Sequence, residues 1–186
     1  MNRLSLYFSL LRVLALAAGL WLAAPVQAAD EYTEVRDLHR AGKTSQALER
    51  AGSYIAANPG DPQMRFIKAT ILSASQRDDE AEALLQELTR DNPELPEPWN
   101  NLAVLHAARG QLDKALEELQ TAVRLNASYA TALENLGDVQ ARLAVQAYER
   151  ARKLDSGNRR LPAKIELLRN LFEPAAVKPA ASEPLR

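Results

Sequence analysis

The residues able to do chemistry in this chain are few. Its 186 residues include no cysteine, which excludes disulfides, thiolate metal sites, a cysteine nucleophile and a lipid-modified N-terminal cysteine. Two histidines, His39 and His106, are too few for most histidine-based metal or acid–base sites. The acidic run Asp78-Asp79-Glu80 carries the charge to attract a cation but lacks the ligand spacing of a calcium loop. It reads instead as a solvated turn whose charge suits the helix N-terminus that follows. There is no GxSxG, no HExxH and no glycine-rich phosphate loop, so no nucleophile or paired acid–base group is offered. Asn126-Ala127-Ser128 matches a glycosylation sequon, in competition with a helix-closing role for Asn126. The expectation is a protein without catalytic residues, metal or cofactor.

The elements that position these residues are helices. The chain is 47% hydrophobic but only 5% aromatic, and its apolar residues are mostly Ala and Leu, the strongest helix formers. Strand-favouring β-branched and aromatic residues are scarce. Residues 1–28 differ from the rest. Arg3 and Arg12 are followed by an apolar stretch from Val13 to Leu22, by Pro25, and by Val26-Gln27-Ala28. That order predicts a secretory signal removed after Ala28. The stretch is too short to span a bilayer comfortably, so no membrane span is expected after cleavage, and the location expected is periplasmic.

Charge is divided along the chain. Residues 30–138 carry 11 basic and 19 acidic side chains, whereas residues 139–186 carry 10 and 5. Arg150, Arg152 and Lys153 stand near a helix C-terminus, where the macrodipole favours cations. Neither segment combines a strong basic excess with aromatics, so nucleic acid is not an expected partner.

A period of 34 residues organises the helices. A small residue recurs at Ala47, Ala81 and Ala115, and another, where paired helices should approach closely, at Ala69, Ala103 and Gly137. Asn58-Pro59 and Asn92-Pro93 recur, weakened, as Asn126-Ala127, and Leu102 recurs as Leu136. Gly42 and Gly110 fall where the chain must turn between helices. Aligned on Trp99-Asn100-Asn101-Leu102-Ala103, with Gly110, Ala115, Leu119 and Ala122 following, the pattern resembles the tetratricopeptide repeat (TPR). His106 stands at that family's usual tyrosine, which makes it a packing residue. The resemblance implies an all-α, right-handed superhelical stack of about 3.5 to 4 helix hairpins with a C-terminal capping helix.

The expected units lie near residues 29–61, 62–95, 96–129 and 130–158. The first is short of a full leading helix once the signal is removed. The second has Arg65 and Lys68 at positions usually apolar, leaving Met64, Ile67 and Ile71 to pack. The fourth lacks about five residues of its interhelix turn. No Gly, Pro, Asn or Ser lies between Val139 and Leu154. Leu133, Leu136, Gln140, Leu143, Ala147, Ala151 and Leu154 keep helical spacing. One long helix from Ala130 to Leu154 is favoured over a tight turn near Leu143, and it would offer an apolar stripe to a partner or second copy. Residues 159–173 should cap the array, with a helix from Pro162 to Phe172. Residues 174–186, rich in Pro and Ala, should be disordered.

In proteins of the family, the first helix of each unit lines a groove that holds a peptide or helix of a partner. Carried over position by position, the groove comprises Gln63, Phe66, Thr70 and Ser73 in the second unit. The third contributes Glu97, Asn100, Val104, Ala107 and Ala108, and the fourth Thr131, Glu134, Asp138, Ala141 and Arg142. Val104 and Glu134 are unsuited to clamping a terminal carboxylate. A mildly apolar groove, acidic at one end, suits a segment bearing basic residues. Asn101 and Asn135 either read a ligand's backbone or bond neighbouring helices. The resulting expectation is a non-enzymatic scaffold for exported or envelope proteins. The alternatives are a chaperone-like holder of unfolded exported chains and a self-associating structural protein, as a homodimer.

Overall fold

The computed structural model describes residues 24–172, with side chains from Asp30 onward. The expected signal core and the Pro/Ala tail lie outside them. Among the described residues the fold is all-α, with eight helices and no strand. These are α1 (Ala24–Arg40), α2 (Thr44–Ala57), α3 (Pro62–Ala74), α4 (Asp78–Asp91), α5 (Pro96–Ala108), α6 (Leu112–Leu125), α7 (Ala130–Leu154) and α8 (Arg160–Arg169). The chain divides into two compact units, one ending at Pro93 and the other starting at Glu94.

In the first unit α1 packs on α2, α2 on α3, α3 on α4, and α1 also meets α3. Ala47, Ala51, Ala69 and Ala81 are wholly buried, because a methyl group is all that fits where helices approach closely. Met64, Ile67 and Ile71 fill the seam as expected. Asp61 caps α3 by accepting from the Gln63 amide at 2.8 Å, and Pro62 follows at the first helical position. Both devices satisfy or remove donors that the first turn leaves unpaired.

Three hairpin turns share one geometry. Lys43, Arg77 and Gln111 each donate their backbone N–H to the carbonyl five residues earlier, at 2.9 to 3.0 Å, which closes a helix in the Schellman manner. The residue before each donor is left-handed: Gly42 and Gly110 at φ +75°, and Gln76 at φ +60°. Gln76 thus occupies a site where the other two turns use glycine. An L residue pays there for the clash of its Cβ with backbone.

In the second unit α5 pairs with α6, α6 with α7 and α7 with α8. A core of Ala103, Leu112, Ala115, Leu119, Ala122, Ala132 and Val139 joins the first three, with Trp99, Tyr129 and Leu136 packed against it. The breaker-free run becomes a single 25-residue helix, α7. Its N-terminal half meets α6, and its C-terminal half pairs with α8, which buries Leu161 and Ile165. Arg169 reaches Glu149 at 2.8 Å, Lys164 lies over the Tyr148 ring at 5.0 Å, and Arg142 lies over Phe172 at 5.5 Å. Phe172, just beyond α8, thus meets Arg142, well back from the end of α7, so the chain returns along α7.

Several expectations are corrected here. Gly137 does not mark a close approach: an added Cβ would meet nothing within 4 Å. Leu154 is 90% exposed, and Gln140 and Ala147 are exposed too. The side chains of the expected stripe along α7 are thus presented to solvent unequally, because the helix changes neighbours along its length. The capping helix runs Arg160–Arg169 and not Pro162–Phe172. Proline is tolerated within the first turn, where no ladder donor is needed. Likewise α1 begins at Ala24 and carries Pro25 in its first turn.

Candidate partner-binding clefts

Two clefts lie between first helices of successive hairpins, one inside each unit. In the first unit, α1 supplies Arg36, His39 and Arg40, and α3 supplies Phe66, Ile67, Thr70 and Ile71, around a cavity of about 540 Å³. The spacing explains the wall. Arg36 and Arg40 are one helical turn apart and so share a face, as do Phe66 and Thr70 on α3. The floor is apolar because Ile67 and Ile71 are core residues. Arg40 bonds Asp37 on its own helix, His39 Nδ1 lies 3.2 Å from Thr44 Oγ1, and the Thr70 hydroxyl donates to the Phe66 carbonyl.

In the second unit a smaller cleft of about 210 Å³ is lined by Ala103, Val104, Ala107, Ala108 and Leu119 with Asn135, Asp138, Val139 and Arg142. Val104 is 45% exposed, an apolar side chain presented to solvent at the mouth. Arg142 donates to the Ala107 carbonyl at 3.3 Å, which fixes its head at the rim. Asp138 and Arg142 are one turn apart, so the rim carries both signs.

The structure thus gathers Phe66 and Thr70 into one cleft, and Val104, Ala107, Ala108, Asp138 and Arg142 into the other. Gln63, Glu97, Thr131 and Glu134 are exposed but line neither, and Ser73 and Ala141 are half-buried. Asn100 differs from its expected place. It is buried, its Oδ1 accepts from Asn135 Nδ2 at 2.9 Å, and its Nδ2 donates to Asn101 Oδ1 at 3.2 Å. Asn100 thus bonds Asn101 on its own helix and Asn135 on α7, tying the two helices together. Sequence reasoning missed Arg36, His39 and Arg40, because groove positions were carried over onto the second, third and fourth units and not onto the first. Their signal was the i, i+4 arginine pair beside a histidine.

The remaining polar clusters are structural. His106 is fully buried, with Nδ1 2.7 Å from Glu118 Oε2 and Nε2 3.0 Å from Lys114 Nζ. Both ring nitrogens are engaged and neither cleft is lined by His106, which agrees with its reading as a packing residue. Arg65 reaches Asp91 at 2.9 Å and Asn92 at 3.2 Å, so this buried cation is paired across α3 and α4. The Arg65 hydrogen bond, joined by Arg90, holds the Asp91 carboxyl below the usual carboxylate range. Asn126 stands at the C-terminus of α6, and its Oδ1 accepts from both the backbone and hydroxyl of Ser128 in an Asx turn. Among the described residues no acidic or histidine cluster could hold a metal.

Two family models match the chain, one described as a tetratricopeptide repeat over residues 38–103 and one as a TPR repeat over residues 105–143. The chain carries tetratricopeptide repeats. Among curated relatives, the chloroplastic tetratricopeptide repeat domain-containing protein PYG7 of Arabidopsis thaliana is 31% identical over 40% of this chain. Cellulose synthase operon protein C of Pseudomonas fluorescens is 28% identical over 68% of it. The matches span only 27% and 11% of those proteins' own lengths. The Sgt2 TPR domain from Aspergillus fumigatus superposes with a TM-score of 0.60 at 14% identity, covering 65% of this chain and 82% of that one. The first TPR of Spaghetti (RPAP3), bound to the HSP90 peptide SRMEEVD, gives 0.58 at 16% identity, covering 63% and 93%. At such identities these structures establish the TPR fold alone. TPR proteins are in general protein-interaction scaffolds without enzymatic activity, and no described helix of this one is long and apolar enough to cross a membrane.

Proposed function

We propose that this TPR protein is a non-enzymatic adaptor that holds a peptide or helix of a partner protein in its clefts. The observation that carries the reading is the pair of cavities between first helices, each with apolar side chains facing solvent and charged groups at the rim. Such surfaces suit an amphipathic segment whose apolar side enters the groove while its polar side meets the rim. The peptide bound by the Spaghetti TPR supports the same mode by analogy. The groove residues are Phe66 and Thr70 in the first unit, and Val104, Ala107, Ala108, Asp138 and Arg142 in the second. Gln63, Ser73, Glu97, Thr131, Glu134 and Ala141 form the flanks. The setting proposed is the cell envelope, supported by the Arg3–Arg12, Val13–Leu22 and Val26–Ala28 order of an export signal cleaved after Ala28.

The test is photocrosslinking in cells from Phe66, Val104 and Asp138, with exposed Gln120 on α6 as control. One partner captured at the cleft positions and not at Gln120 supports the adaptor. Many unrelated exported proteins would favour a holder of unfolded chains, and a self-adduct would favour self-association. Adducts at Gln120 with none at the cleft positions would overturn the groove reading.

A further inference from the structure

The first-unit cleft has a charge that the sequence reading did not anticipate. Every ionisable group lining it is cationic or can become so: Arg36, Arg40 and His39 on α1. No carboxylate lines it, whereas the acidic residues that suggested a ligand bearing basic groups, Glu97, Glu134 and Asp138, all belong to the second unit. Arg36 has no ion-pair partner among the described residues and is exposed. Arg40 is bonded to Asp37, but both side chains are more than half exposed, so the pair is weak and easily exchanged for a ligand carboxylate. Opposite this wall, Phe66 and the buried Ile67 and Ile71 form an apolar face. The cavity, at about 540 Å³, is within the range that encloses a substantial ligand group.

We propose that the α1/α3 cleft receives an acidic amphipathic segment of a partner protein. Apolar side chains one helical turn apart seat against Phe66, Ile67 and Ile71, and carboxylates meet Arg36 and Arg40. Guanidinium groups suit this task because their planar donors match a carboxylate in pairs. A segment with basic groups instead would place like charges against the α1 wall, which selects against it. The proposal rests on the reading that the clefts hold partner segments, and adds the sign and patterning of the segment at this one.

The experiment is fluorescence polarisation on the full chain with two labelled synthetic peptides. Both place leucines at i, i+3, i+4 and i+7, and both are acetylated and amidated so that no terminal carboxylate contributes. One carries glutamates at its polar positions and the other lysines. The glutamate peptide is expected to bind about tenfold more tightly at low salt, with the difference shrinking as salt is added. The exposed double substitution Arg36→Glu/Arg40→Glu should reverse the preference, while Gln120→Glu on the exposed face of α6 should leave it unchanged. Equal or tighter binding of the lysine peptide, or a preference that survives the double substitution, overturns the proposal. Should neither peptide bind while a crosslinker at Phe66 captures a partner in cells, the acidic class falls and the cleft reading stands. Should neither peptide bind and Phe66 give no adduct, both fall.

Discussion

Replacing Gly137 by alanine distinguishes the repeat pattern from the packing around this helix. The 34-residue period places Gly137 with Ala69 and Ala103, both wholly buried at close helix contacts. By that analogy a methyl group at position 137 would be tolerated only if α7 leaves room. The geometry says it does: an ideal Cβ meets no atom within 4 Å, and the residue lies in the interior of a 25-residue helix. With no packing term, the balance reduces to intrinsic helix propensity. Alanine is favoured over glycine there by about 0.8–1.0 kcal/mol, because glycine has more backbone freedom to lose. For a protein of this size that corresponds to a rise of about 2–4 °C in Tm. Urea unfolding followed by far-UV circular dichroism should show a higher midpoint with an unchanged m-value. A lower midpoint would mean that Gly137 is in close contact, and the described packing around the middle of α7 would be wrong.

The other expected outcomes concern a turn, a buried cluster and a titrating cap. Gln76→Gly should stabilise the chain by about 0.5–1 kcal/mol, since relief of the left-handed penalty outweighs the entropy glycine adds to the unfolded state. A lower urea midpoint would contradict that. His106→Leu should cost about 1–3 kcal/mol, because the buried Glu118 carboxylate loses a bond that water cannot easily replace; calorimetry reads the loss as a lower Tm. Burial pushes the Asp61 carboxyl up, but the hydroxyls of Tyr32 and Tyr54 and the amides of Gln63 and Met64 outweigh it and hold it below its usual range. Its stabilising contribution is therefore complete above the ordinary carboxylate range and lost as pH falls through the depressed native value. In Asp61→Asn that acid-side slope should flatten in urea midpoints measured across the same range.

How much was legible depended on whether a residue's role is set by its period or by its neighbours. Ala47, Ala81 and Ala115 repeat at 34 residues because each sits at the same helix crossing, so the pattern alone located them. Asn126 was legible for a similar reason: a side chain that closes a turn does so locally. The continuous α7 was legible because a breaker was missing. Gly137 misled because its period survived after its neighbour had gone. The Asn100–Asn135 bond and the Glu118–His106 contact were not legible, since side chains separated by 35 and 12 positions meet only through the packing angle of their helices. The α1 wall was not legible either, since Arg36 and Arg40 become part of a cavity only through the packing of α1 against α3.

The uninterrupted α7 has a consequence for chain direction. In an ordinary hairpin the residues after the turn run back along the helix before them. Here the turn is gone, so residues 144–154 continue forward, and the return journey is made by α8 instead. The run Ala144, Tyr148, Ala151 resembles a second helix in residue type while travelling in the direction of a first. The deletion has therefore moved the reversal of the chain by about three helical turns, at 3.6 residues each. Two neighbourhoods that would otherwise belong to separate helices, the α6 side and the α8 side, are strung on one hydrogen-bonded rod. Local opening near Leu143 must break that rod's own ladder, so the two ends should exchange their amide hydrogens as one cooperative unit.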